Sequence, residues 1–244
     1  MIEQLMGIAR EELLSHLSVL KESELVYERG IYPQSSYIFR HALIRDTVYQ
    51  LLLKDTRVSY HCKIVEILES SFPELTESWP DLLAHHYTRA GMFAEGFPFW
   101  YRAAQLACHN LCQVYFALGM LSESRTYSEK GIQLLGSQAL NITDWPGGNP
   151  GAQCFVYASA AASVLDEYKK SVEYSARALE LNESDPKPFS RISALGILCI
   201  PMIVRRDRAA ASVIVAQISE MSSRFGYRVW PMWAQMVDGW RESE

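Results

Sequence analysis

Residues 81–107, DLLAHHYTRAGMFAEGFPFWYRAAQLA, constrain the chain most, because they read as two helices and a turn, neither helix able to bury its apolar stripe alone. Leu83, Ala84 and Tyr87 share one face ahead of Gly91, and glycine suits the left-handed residue that closes a helix. Gly96, Trp100 and Ala103 recur at helical spacing in the second helix. The small residues Ala84, Gly96 and Ala103 let two backbones approach, while Tyr87 and Trp100 fill the space left over. A hairpin of this kind needs stacked neighbours, and the rest of the chain is expected to supply them.

Imperfect copies do follow. Leu111, Cys112 and Tyr115 precede Gly119, with Ser124 and Gly131 as the later small positions. Ser159 and Ala162 precede Asp166, with Tyr168, Ser171 and Ala178 beyond it. Cys199 precedes Arg206 and Asp207, with Ala211 and Ile218 after them. Upstream, residues 43–53 and 58–72 form a further helix pair, and VWPMWAQMVDGW near the end is a first helix without a second. The third unit starts too soon after Ala103 for a regular period, so it is expected to join the second by a tight turn or one bent helix near residues 108–110. Residues 136–151, GSQALNITDWPGGNPG, are rich in turn formers and are expected to be the longest loop.

The pattern L-A-x-x-Y-x-x-x-G, then small-x-x-x-aromatic-x-x-Ala, resembles the tetratricopeptide repeat without its first Trp and final Pro. That resemblance implies an all-α fold, a right-handed α-solenoid of four to five hairpins over 41–244 with the last incomplete. Residues 1–40 carry a helix with Ile8, Leu13, Leu14, Leu17 and Leu20 on one face, then short apolar segments at 25–27 and 37–39 about Gly30 and Pro33. This helix and β-hairpin resemble the tail of a winged-helix module. Further on, FRHALIRDTVYQLLL, then Arg57 and His61 ahead of IVEILESSFPEL, then LLAHHYTRAG, resemble the segment after the ATPase core of predicted signalling ATPases of the STAND type. Such proteins are often fused to adenylate or guanylate cyclases or to helix-turn-helix regulators. The resemblance implies a regulatory segment without chemistry of its own, any nucleotide site lying upstream of Met1 in a longer polypeptide.

Composition narrows the partners. The chain has 244 residues, 49% hydrophobic and 21% charged, so it is expected to fold around a sizeable core. A formal charge of -5 argues against nucleic acid as the main partner, and the Glu11-Glu12 helix is no basic recognition helix. A transcription regulator binding DNA through the winged helix or a missing module is the alternative, and an all-helical metal enzyme a second. Five scattered cysteines without a C-x-x-C pair, and no secretory leader, point to a reducing cytoplasm. The apolar run from Ile192 to Val204 is short for a bilayer and interrupted by Pro201, so a buried helix is expected and no membrane partner.

Chemistry finds little purchase in the sequence. His85 and His86 are neighbours on a helix and point about 100° apart, which suits one packed and one solvent-facing ring better than a shared ion. Cys108, His109 and Cys112 lack a second ligand pair. Gly91 to Gly96 has P-loop spacing but continues Phe97-Pro98 and follows no strand. No cofactor is therefore expected. Arg45 and Asp46 suit a tie between the hairpin and the next helix, with a nucleotide contact by Arg40 or Arg45 as the alternative.

First helices of stacked hairpins line a concave groove. The side chains expected there are Asp81, His85, Thr88 and Arg89, then His109, Gln113 and Phe116, then the apolar Ile200, Ile203 and Val204. The greasy end is expected either to be buried in the protein's own core or to dock an amphipathic helix of a partner or of the longer chain. Trp230, Met232, Trp233, Met236 and Trp240 give the last helix an apolar face suited to a homodimer or to further repeats.

Overall fold

The structure, a computed structural model, describes residues 1–30, 35–137, 149–183, 185 and 187–243. It contains thirteen helices among the described residues and one small antiparallel sheet, an all-α architecture. Two compact units divide it, Met1–Trp100 and Tyr101–Glu244. The boundary expected at residue 40 falls inside the first.

In the first unit α1 (Ile2–Met6) and α2 (Arg10–Glu22) precede strands β1 (Val26–Arg29) and β2 (Ser36–Phe39). The expected hairpin is present, with Tyr27 opposite Ile38 and Val26 opposite Phe39. Helices α3 (Ala42–Leu51), α4 (Lys54–Ser71), α5 (Pro73–Ser78) and α6 (Pro80–Ala90) follow, the last two opening on a proline, whose missing N–H costs nothing at a helix start. Helix α4 packs on α6 through Val65, Leu68, Leu83 and Tyr87, with Ile64, Phe72, Met92 and Phe99 around them.

Helix α7 (Phe93–Ala117) is a single helix of 25 residues through 108–110, so of the two joins expected there, a tight turn or one bent helix, a helix forms. Residues 108–110, Cys-His-Asn, contain neither Gly nor Pro, so nothing there forces the backbone to break. Pro98 lies near the start of α7, where it removes one hydrogen bond. In the second unit come α8 (Leu121–Ser137), α9 (Pro150–Val164), α10 (Tyr168–Glu183), α11 (Pro188–Val204), α12 (Arg208–Phe225) and α13 (Trp230–Ser243). The loop expected over 136–151 lies mostly outside the described residues.

One local rule builds four of the hairpins. A small buried residue at i is followed by a left-handed residue at i+7 and a second small buried residue at i+12. The sets are Ala84, Gly91 and Gly96; Cys112, Gly119 and Ser124; Ser159, Asp166 and Ser171; Cys199, Arg206 and Ala211. In each set the N–H at i+8 reaches back to the carbonyl at i+3, at 2.9–3.0 Å, closing the first helix in the same way. The small pair then meets across the hairpin. A Cβ on Gly96 would stand 2.7 Å from Tyr87 Cβ. The Ser124 hydroxyl donates to the Cys112 carbonyl at 2.8 Å. Ser159 and Ser171 each donate to the other's carbonyl, at 2.9 and 3.0 Å.

Helix α9 packs against α8, α10 and α11, and thirteen of its fifteen residues are buried. Helix α11 meets α10, α12 and α13 around Ile192, Leu198, Ile218 and Val237. Each such side chain contributes about 1.5–3 kcal/mol by leaving water. The start of α9 is tied to the start of α11 through Asp185, a buried carboxylate that accepts from the Asn149 N–H at 3.4 Å, the Ser190 hydroxyl at 2.7 Å and the Lys187 N–H at 2.8 Å.

Candidate functional site

In the first unit the side chains expected to line a groove lie along α6. Asp81, His85 and Arg89 are exposed, whereas Thr88 is occupied, donating to the Ala84 carbonyl and accepting from Trp100 Nε1, both at 2.9 Å. The packing positions divide in the same way: Leu83, Ala84, Tyr87 and Gly96 are buried, Ala103 is half-buried, Trp100 is 46% exposed, and Gly91 is exposed.

The two adjacent histidines separate. His85 faces solvent, while His86 is half-buried and meets a residue that the repeat spacing gave no reason to pair with it, His61 of α4. The His61 and His86 Nδ1 atoms lie 2.8 Å apart, and His61 Nε2 lies 2.9 Å from the Tyr49 hydroxyl of α3. His85 closes the group, its ring 6.1 Å from His61 and 5.5 Å from His86. Both ring nitrogens of His61 are thus engaged. Burial first, then His85 and Arg89, lowers His61, and burial with the other two rings brings His86 down to about 4. Both shifts favour the neutral rings of His61 and His86, and the contacts from Tyr49 through His61 to His86 link three helices of the unit. Among the described residues no group of three or more His, Cys, Asp or Glu is arranged to hold a metal ion.

Arg45 and Asp46, expected to tie the hairpin to the next helix, pair with each other at 2.8 Å on the exposed face of α3. Arg40 instead pairs with Glu24 beside the sheet. Helix α3 buries none of its residues, and Leu43 and Leu51, two turns apart on one stripe, are 77% and 78% exposed. Leu53 beyond it is 77% exposed. These three are the most exposed large apolar side chains among the described residues.

In the second unit His109, Gln113 and Phe116 of α7 gather about Tyr157 of α9. The Tyr157 ring lies 6.2 Å from His109 and 5.7 Å from Phe116. Burial and the neighbouring Cys112 push the Tyr157 hydroxyl up to about 12, so it acts as a neutral hydrogen-bonding group. Tyr157 lies two residues before Ser159, off the small-residue register, which gave no signal for it. Cys112 and Cys154 pack beside it, and Cys108 joins them where Gly131 leaves room, since a Cβ there would overlap Cys154 Sγ.

The apolar positions further along are mostly internal. Val156 and Ala160 are fully buried, and Gly196 lies against the Trp230 ring. Ile200, Ile203 and Val204 are half-buried, Ile203 packed on the main core. On α13, Trp230, Ala234, Val237 and Trp240 turn to that same core, leaving Met232 and Met236 exposed. No described helix is long and apolar enough to cross a membrane.

No protein-family model, curated protein or solved structure matches the chain.

Proposed function

We infer that the chain is a non-catalytic, tetratricopeptide-like scaffold that binds another protein or another domain of a longer polypeptide. It would serve as the regulatory segment of a STAND-type signalling ATPase whose effector is a nucleotide cyclase or a transcription regulator. The observation that carries this reading is the register of small, left-handed and small residues at i, i+7 and i+12, set four times over. A chain that devotes its small residues to hairpin contacts builds a surface of repeated helices, and such surfaces work by contact. The solvent-facing stripe of α3 offers apolar area for a partner to cover, and exposed patches of this kind mark interaction sites.

The test is affinity purification of the tagged protein from its own cells, beside a variant carrying Leu43→Asp and Leu51→Asp. Co-purification of a nucleotide-hydrolysing or cyclase-bearing polypeptide is expected, reduced several-fold by the double substitution while helicity is retained. Recovery of the same partners by both proteins would refute the role of α3. Steady ATP or cyclase turnover by the isolated chain would refute the scaffold itself.

A further inference from the structure

A second feature of the first unit stands independently of the scaffold reading. Between α1, the end of α3 and α4 lies a pocket of about 280 Å³. Its walls are apolar, formed by Leu5, Met6, Leu52, Ile64 and the ring of Tyr60. One charged side chain reaches it, Arg57, whose guanidinium stands over the Tyr49 ring 5.3 Å from the centroid. Arg57 makes no ion pair among the described residues. His61 lies at the inner wall with its Nε2 on the Tyr49 hydroxyl, and burial together with His85 and Arg89 favours its neutral form.

An apolar cavity with a single unmatched cation is complementary to a molecule with an apolar body and one anionic end. Ligand pockets for drug-sized molecules span roughly 300–1,000 Å³, so this one suits something smaller. The planar fork of an arginine matches a carboxylate through two parallel hydrogen bonds, and stacking on Tyr49 holds that fork at the mouth. We propose that the pocket binds a small aryl or branched-chain carboxylic acid, its apolar body among Leu52, Tyr60 and Ile64 and its carboxylate on Arg57. Closure by α1 through Leu5 and Met6 makes the first helix the element that responds to the ligand.

Titration of the whole protein with 3-phenylpropanoate, 3-phenylpropanol and 3-phenylpropylammonium, followed by amide and methyl NMR, tests this. Shifts are expected at Leu5, Leu52, Tyr60 and Ile64, with the carboxylate binding about ten-fold tighter than the alcohol, as one charge-assisted contact allows, and the ammonium weakest. Arg57→Gln should reduce the carboxylate to the affinity of the alcohol. Met6→Trp, at an exposed position where folding is not at stake, should close the pocket to both. Equal binding of carboxylate and ammonium, shifts confined to other residues, or an unchanged affinity in folded Arg57→Gln would overturn the proposal. A peptide ending in Phe that binds ten-fold tighter than the free acid, and loses this when its C-terminus is amidated, would overturn it in favour of a protein C-terminus.

Discussion

Replacing Gly196 by alanine probes how the last helix is held. Gly196 is buried in α11, and a Cβ there would overlap the six-membered ring of Trp230, with Cε3 at 3.0 Å, Cη2 at 3.3 Å and Cζ3 nearer still. Trp230 is the first residue of α13 and packs on the main core of its unit. Two effects oppose each other. Alanine favours the helix over glycine by about 1 kcal/mol. Overpacking a filled site costs about 1–3 kcal/mol, and a rigid indole wedged against a backbone belongs at the upper end of that range. The net expectation is a loss of about 1–2 kcal/mol, with Trp230 lifted and α13 loosened. Urea unfolding followed by circular dichroism gives the global value, and hydrogen exchange gives the local one as faster exchange confined to α13 and its contact with α11. Trimming the ring in a Gly196→Ala, Trp230→Leu double variant should recover part of the loss. Stability equal to or above the parent, with unchanged exchange in α13, would refute the reasoning.

Gly239→Ala supplies the converse, since nothing lies within 4 Å of its Cβ, and a gain of up to about 1 kcal/mol is expected in the same unfolding assay. At Gly91 a Cβ also has open space but φ is +78°, so Gly91→Ala should cost about 1 kcal/mol from backbone strain alone, measured as a lower urea midpoint with unchanged slope. Ser159→Ala removes a hydroxyl that sits 2.6 Å from Ser175 Oγ and donates to Ser171, and thermal unfolding should report a loss of about 1–3 kcal/mol. His86, held at about 4 in the fold, binds its proton only once the chain opens and the ring returns toward 6.5, so stability is complete above pH 6.5 and falls as the pH drops from there toward 4. The whole shift is worth about 3 kcal/mol, and half-exposure of the ring reduces it to roughly 1–2. Urea titrations across that window should show the slope, and His86→Asn should flatten it.

What could be read along the chain was what is local. A small residue, a left-handed turn residue and a second small residue lie within thirteen positions of each other, so Ala84 to Gly96 and its three counterparts announce their hairpins without any knowledge of the fold. The β-hairpin about Gly30 was legible for the same reason. What escaped was set by packing between distant helices. His61 and His86 are 25 residues apart, and nothing in either sequence context says that α4 and α6 turn these rings toward each other. Tyr157 meets His109 and Phe116 only because α7 and α9 pack in the same unit. The apolar residues of α11 read either as a buried helix or as a greasy groove wall, because a period cannot tell a face open to water from one covered by Trp230 and the α13 helix. At 108–110 the repeat length leaves a tight turn and one bent helix both open, and the absence of a breaker there agrees with the single helix α7.

The spacing of the hairpins also guards against slipping by one residue. If a single residue were inserted in a turn, the residue at i+11 would arrive at the contact in place of the small one at i+12. In three of the four hairpins that neighbour is charged and exposed: Glu95, Glu123 and Lys170. A shifted pairing would press a carboxylate or an ammonium into a site where the native residue is buried, at the cost of taking that charge out of water. Only Ala210 in the last hairpin would pass without that penalty. Length, more than composition, is therefore what these turns must conserve, and the charge flanking each small residue acts as a frame marker that rejects any other alignment of the two helices.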